Sequence, residues 1–259
     1  MPIETDYSEV TELSGDDVTQ EQVDRTYQRY CWASKFCRDK DVVELACGTG
    51  QGLGFISTLT KSLIGGDISA PMVAKARAHY GERIDIRLMD AQDTQLPDSS
   101  CDVVILFEAL YYLPDATKFV RECVRVLRLG GRVLISTANP DLFDFNPSPY
   151  SYRYYGTMGL SELFESKGFQ VGCYGGTPIE ATSLRQRVLR PIKKIVVNLN
   201  LMPKSMAGKK ILKRLVFGGL VKMPAEITSG MSTYIPPTPI PNNKPDTHHK
   251  VIYCEATKR

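Results

Sequence analysis

The 259 residues predict an α/β protein, built on one twisted and mostly parallel sheet with helices on both faces. Three observations carry that prediction. Short apolar, β-favouring runs alternate with helical segments from Val42 to Ala138. The first run flows straight into a glycine turn, Glu44-Leu45-Ala46-Cys47-Gly48-Thr49-Gly50-Gln51-Gly52. The next two runs each end in an acid, Asp67 and Asp90, at successive intervals of 23 residues from Glu44.

The elements follow in order. Glu21 to Phe36 reads as a helix leading into the first strand, Val42 to Leu45, apolar enough to be covered on both faces. Three glycines at alternate positions let the backbone bend tightly and approach a ligand, and helix amides beyond the turn favour a carboxylate or phosphate. A helix from Leu53 to Thr60 leads to the second strand, Ser62 to Ile68, which carries Asp67 at its end. A helix from Ala70 to Tyr80 precedes the third strand, Ile84 to Met89, which ends in Asp90-Ala91-Gln92. The fourth strand, Cys101 to Phe107, ends in Glu108 and is followed by a helix from Asp115 to Leu127. The Gly130-Gly131 turn starts a fifth strand, Arg132 to Ala138. A helix around Ser161 to Lys167, a sixth strand from Phe169 to Tyr174, and a last strand from His249 to Ala256 complete the set.

These strands deliver glycines and acids to one sheet edge, the site of nucleoside binding in doubly wound folds. Asp67 can accept both hydroxyls of a ribose, and Asp90 a hydrogen bond from an adenine amino group. A dinucleotide fingerprint would need its third glycine at position 53, which is Leu53. Glu44 ahead of the turn would repel a pyrophosphate but suits an α-ammonium. The ligand implied is a nucleoside joined to an amino acid without phosphate, the chemistry of S-adenosyl-L-methionine.

The motifs Glu44-Leu45-Ala46-Cys47-Gly48-Thr49-Gly50, Gly66-Asp67-Ile68-Ser69 with Met72, Asp90-Ala91-Gln92 and Leu127-Arg128-Leu129-Gly130-Gly131-Arg132-Val133-Leu134-Ile135 resemble those of class I S-adenosylmethionine-dependent methyltransferases, most closely the small-molecule and glycan-tailoring branch. The resemblance covers roughly residues 25 to 175 and the last strand. It implies a Rossmann-like seven-stranded sheet of order 3-2-1-4-5-7-6 with only the last strand antiparallel. It implies a cofactor site of Tyr30, Glu44, Ala46, Gly48, Thr49, Gly50, Asp67, Ile68, Met72, Asp90, Ala91 and Phe107, with Arg29-Tyr30 closing over it and S-adenosyl-L-homocysteine as product.

Acceptor chemistry is less legible. Tyr111 and Tyr112 follow the fourth strand where this branch often carries histidines. Glu108 beside them can deprotonate or orient an acceptor, or serve as a cofactor-pocket carboxylate. His248 and His249 open the last strand at the rim, as general-base candidates or as an exposed loop pair. The loop Asn139 to Gly156 carries six aromatics, and Tyr152 and Tyr154 are expected in a substrate wall with Tyr111 and Tyr112.

About 74 residues separate strands six and seven, and both ends of this insertion emerge at the ligand edge. The expected organisation is an acidic tail or cap over residues 1–24, the methyltransferase domain over 25–180 and 246–259, and a basic helical insertion over 181–245. Ala181 to Ala225 holds eleven Lys or Arg and no acid. Apolar stripes at Leu184 to Leu199 and Ile211 to Leu220 suggest helices covering the acceptor side. Pro236-Pro237-Thr238-Pro239-Ile240-Pro241 reads as a stiff extended return. The basic face suits a solvated lid, an anionic substrate or a membrane surface; nucleic acid is not expected.

Seven scattered cysteines without a Cys-x-x-Cys pair fit a reducing cytoplasm and no metal site. No stretch is long and apolar enough to span a membrane, and the acidic N-terminus lacks the features of a secretory signal. The leading expectation is methyl transfer to an oxygen or nitrogen of a small molecule or sugar. The alternatives are a membrane-associated C-methyltransferase of a quinone-like ring and a non-catalytic cofactor-binding scaffold subunit.

Overall fold

The computed structural model describes residues 13–179 and 219–259. Strand β1 (Asp17–Val18) leads into helix α1 (Gln20–Cys37), whose start is fixed by a reciprocal cap. The Gln22 amide donates to Thr19 Oγ1 at 3.3 Å, and the Thr19 amide donates to the Gln22 side chain at 2.8 Å. The alternation then runs as expected: β2 (Asp41–Leu45), α2 (Leu53–Ser57), β3 (Ser62–Asp67), α3 (Ala70–Tyr80), β4 (Asp85–Leu88) and β5 (Cys101–Phe107). Helix α4 (Ala116–Val126) begins at Asp115, whose carboxylate accepts from the amides of Thr117 and Lys118. Next come β6 (Leu127–Ala138), α5 (Thr157–Glu165) and β7 (Phe169–Pro178). Two short strands, β8 (Val221–Lys222) and β9 (Thr238–Ile240), precede β10 (His249–Lys258).

The main sheet has the order β4-β3-β2-β5-β6-β10-β7-β9. The expected seven-strand order lies within it, and two features correct the expectation. An eighth strand, β9, forms from the proline-rich return and pairs antiparallel to β7, so β10 is not the only strand running against the parallel set. Pro239 is tolerated there because an edge strand needs hydrogen bonds on one side only. Strand β6 also begins at Leu127: Leu127 pairs with Cys101 and Arg132 with Val103, so the Gly130-Gly131 pair sits inside a bulge instead of ahead of the strand.

Helices cover both faces. On one, Phe119, Val120 and Cys123 of α4 and Leu160 and Phe164 of α5 pack against Leu106, Ile135 and Cys254. On the other, Tyr30, Trp32 and Ala33 of α1 pack against Ile105, Leu134 and Tyr253. Each fully buried large side chain contributes roughly 1.5–3 kcal/mol.

The apolar stripe from Leu184 to Leu199 and nearly all of that from Ile211 to Leu220 lie outside the described residues, as does most of the basic run. The expected helical cover therefore lies almost wholly outside the described residues. Residues 219–245 contain no helix; the chain crosses α1, burying Met223 and Ile227. Strand β8 pairs with β1, which ties the expected N-terminal tail to the insertion. No helix among the described residues is long and apolar enough to cross a membrane.

Candidate cofactor and acceptor cleft

Strand register brings the chemistry to one edge. Leu45 pairs with Gly66 and Leu106, Phe107 with Ser136, and Ala138 with Val251, so the ends of β2, β3, β5 and β6 meet the start of β10. A cleft of about 470 Å³ opens there against α1. It lies where the strand order reverses direction, the usual ligand crevice of open α/β sheets.

Glu44 is the centre of the cofactor half. It is almost wholly buried, and Tyr30 donates its hydroxyl to Glu44 Oε1 at 2.5 Å. The other oxygen, Oε2, is buried with no partner. Burial pushes the Glu44 carboxyl up to about 7, while the Tyr30 hydroxyl and the Arg29 charge act in the opposite direction. Leaving a buried acceptor unsatisfied costs roughly 1–3 kcal/mol. A cationic ligand group in the cleft would satisfy Glu44 Oε2, so the residues present fit the α-ammonium of an amino acid. Tyr30 reaches this position because residue 52 is glycine: a Cβ there would lie 1.9 Å from the Tyr30 ring.

Asp67 shapes the turn as well as the cleft. Its Oδ2 accepts from the Gly48 amide and its Oδ1 from the Ser69 amide, both at 2.8 Å. Burial raises its carboxyl despite those bonds. Each carboxylate oxygen retains further acceptor capacity for ribose hydroxyls. The Gly50 amide donates to Cys47 O at 2.9 Å, and α2 is only five residues long. The amides of Gly48 and Gly50 are thus committed within the protein, in keeping with a ligand that brings no phosphate to them. Asp90 lines the cleft and also accepts from the Gln92 amide at 2.8 Å, so it both faces the cavity and closes a turn.

The cleft joins Tyr30, Glu44, Ala46, Gly48, Asp67, Ile68, Met72, Asp90 and Phe107 with Glu108, Tyr111 and Tyr112. Ala46 (φ 54°) and Glu108 (φ 52°) both hold left-handed backbone at the ends of the two central strands. Such strain concentrates at functional sites. Glu108 accepts from Ser136 Oγ at 3.1 Å and from the Tyr111 hydroxyl at 3.3 Å.

Other expected residues do not line it. Thr49 is buried with its hydroxyl unpartnered, Gly50 packs under Tyr80, and Ala91 belongs to the core. Tyr154 stacks behind Tyr111 with ring centroids 4.2 Å apart, and Tyr152 is exposed, its amide donating to Tyr111 O at 2.8 Å. His248 is exposed. His249 is held by Asp246, whose carboxylate lies 3.1 Å from Nδ1 and accepts from the His249 amide at 3.0 Å. Asn139 in turn donates to both Asp246 Oδ2 and His249 O. This arrangement fixes the entry of β10 and leaves no histidine among the residues lining the cleft.

Sequence reasoning missed two groups. Tyr80 donates to Gly50 O at 2.6 Å and accepts from the Gly54 amide at 3.1 Å, bracing the turn from α3. Gln22, Arg25, Thr26, Met223 and Lys250 also line the cleft. The only available signal was the polar face of α1, since the other residues arrive from distant chain.

Residues 43–135 match the family described as "Methyltransferase domain". A probable S-adenosylmethionine-dependent methyltransferase of Mycolicibacterium smegmatis is 40% identical over 141 residues, which are 52% of this chain and 54% of that protein. The ubiquinone biosynthesis O-methyltransferase of Pseudomonas aeruginosa is 30% identical over 129 residues, 48% of this chain and 53% of that protein. The chain thus spans about half the length of the curated relatives it matches. Among solved structures, the [4+2]-cyclase SpnF has a TM-score of 0.59 at 16% identity, covering 95% of this chain and 84% of its own; that likeness concerns the fold alone. The Mycolicibacterium smegmatis relative is named as dependent on S-adenosylmethionine. Residues 43–135 thus resemble a methyltransferase domain, and the fold and the acid-lined edge are in keeping with that likeness.

Proposed function

We propose that this protein transfers a methyl group from S-adenosylmethionine to an oxygen or nitrogen of a small-molecule or sugar acceptor. The observation that carries the reading is the buried, unpartnered Glu44 Oε2 facing a cleft whose other acids, Asp67 and Asp90, end the next two strands. Glu44 would hold the amino group, Asp67 the ribose hydroxyls, and Asp90 the adenine amino group. The cofactor supplies a methyl already activated by its sulfonium. The protein's task is then to hold the acceptor in line and exclude water, which positioning alone can accelerate greatly.

Glu108 is the carboxylate on the acceptor half of the cleft, held by Ser136 and Tyr111. We assign it the role of orienting an acceptor hydroxyl and taking its proton. Tyr111 and Tyr112, their ring planes inclined at 61° with centroids 4.5 Å apart, offer aromatic faces beside it. The relative from Pseudomonas aeruginosa, named for O-methylation in ubiquinone biosynthesis, supports an oxygen acceptor.

Calorimetry with S-adenosylhomocysteine should show binding to the intact protein. Asp67→Ala should weaken it by about 1.5–3 kcal/mol, about tenfold to over a hundredfold. Unchanged affinity with the fold intact by circular dichroism would refute the Asp67 assignment. Release of S-adenosylhomocysteine when acceptors are supplied separates an enzyme from a cofactor-binding scaffold.

A further inference from the structure

We propose that Arg25 and Lys250 form a recognition site for an anionic group of the methyl acceptor, a carboxylate or a phosphate. The proposal rests on the methyltransferase reading above and names the substrate class of that site. The two cations come from opposite ends of the chain, Arg25 from α1 and Lys250 from β10, and converge on one atom. Glu21 Oε1 accepts from Arg25 at 2.5 Å and from Lys250 at 2.6 Å. Both cations line the cleft. Burial alone would raise the Glu21 carboxyl, and the charges and hydrogen bonds of Arg25 and Lys250 more than reverse that, holding it below its usual range.

The acids and the cations of the cleft come from different elements: Glu44, Asp67 and Asp90 stand at the ends of β2, β3 and beyond β4, whereas Arg25 comes from α1 and Lys250 from β10. Arg29, one turn along α1, also lines the cleft and acts electrostatically on Glu44, Tyr111 and Tyr253. Arg25 Nε is buried with no partner, although its Nη2 is bound to Glu21. An arginine with a spare donor next to a lysine is a donor set suited to carboxylate or phosphate oxygens. Glu21 draws both cations to one point. The Tyr111 and Tyr112 rings, which line the same cleft, suit an aromatic body attached to the anion.

The test is calorimetry on full-length protein saturated with S-adenosylhomocysteine, using benzoate, phenyl phosphate and neutral benzyl alcohol as probes. At least one anion should bind about tenfold or more tightly than benzyl alcohol, and which one does separates carboxylate from phosphate recognition. Arg25→Met and Lys250→Met should each weaken the anion about tenfold, with S-adenosylhomocysteine affinity changed less than about threefold. Glu21→Gln should act in the opposite direction and strengthen it about threefold, which damage to the fold would not do. Equal affinity for anion and alcohol, or anion binding indifferent to all three substitutions, would overturn the proposal. So would a parallel loss of S-adenosylhomocysteine affinity in Arg25→Met, which would assign that cation to the cofactor. Failure of wild-type protein to bind S-adenosylhomocysteine would instead overturn the methyltransferase reading itself.

Discussion

At the scale of single residues, Glu44 makes the sharpest demand on the protein. Its carboxyl has an ordinary value of 4.5 and is pushed by burial to about 7. Between those values the folded protein holds a proton that the unfolded chain has lost. Stability must therefore fall as pH rises from about 4.5 to 7 and level off above. That gap corresponds to a ceiling of roughly 3 kcal/mol at 1.36 kcal/mol per pH unit. Glu44→Gln keeps an acceptor for Tyr30 and should flatten this dependence, so that its urea midpoint at pH 8 exceeds that of the wild type. The same substitution should weaken S-adenosylhomocysteine binding, because the neutral amide gives up the charge opposite the ammonium. Cofactor binding near pH 6.5 should also release a proton from Glu44, read as a dependence of calorimetric enthalpy on buffer ionisation. Buffer-independent enthalpies in wild type, or Glu44→Gln binding with wild-type affinity, would contradict the assignment.

At the scale of elements, the turn after β2 depends on neighbours from both sides. Tyr30 of α1 lies over Gly52, and Tyr80 of α3 bridges Gly50 O and the Gly54 amide. Tyr80→Phe removes both bonds while keeping the ring, leaving two buried backbone groups unsatisfied at about 1–3 kcal/mol each. We expect a loss of about 2–3 kcal/mol in urea unfolding and a weaker cofactor complex, since a loosened turn no longer holds Gly48 against Asp67. A change below about 0.5 kcal/mol would mean that water replaces the hydroxyl and that the turn is held elsewhere. The turn's local shape was readable from its glycines. Its support was not, because Tyr80 reads equally well as an ordinary apolar helix position.

At the scale of the whole molecule, Glu226 and Ile227 tie the described part of the insertion to the glycine turn and α3. Ile227 donates its amide to Gln51 O at 2.8 Å, and Glu226 accepts from His79 at 2.7 Å and Arg83 at 2.6 Å. Two deletions follow from these contacts. Replacing residues 182–218 by a flexible linker should leave S-adenosylhomocysteine affinity within about threefold, because the contacts to the turn come from 223–227. Extending the deletion to residue 240 removes the buried Met223 and Ile227 and the edge strand β9. Truncating such side chains costs about 2–5 kcal/mol each, so the longer deletion should lower the melting temperature sharply and abolish cofactor binding. Equal behaviour of the two proteins in thermal unfolding and calorimetry would show that residues 219–240 are dispensable.

The sequence by itself determined the succession of strands, the glycine turn and the acids at 44, 67 and 90, while the order of the strands in the sheet was implied by the resemblance of its motifs. These are local signals, or signals at fixed spacing, and covered strands leave a plain apolar record. Tertiary structure alone decided the rest. Proline-rich chain became an edge strand because β7 offered an unpaired side. Ala46 entered left-handed backbone, which an alanine in the sequence does not announce. His249 was drawn to Asp246, and Arg25 was brought to Lys250 by the pairing of β10 with β6. Each of these outcomes depends on which distant segment arrives beside a residue, and no spacing along the chain encodes that.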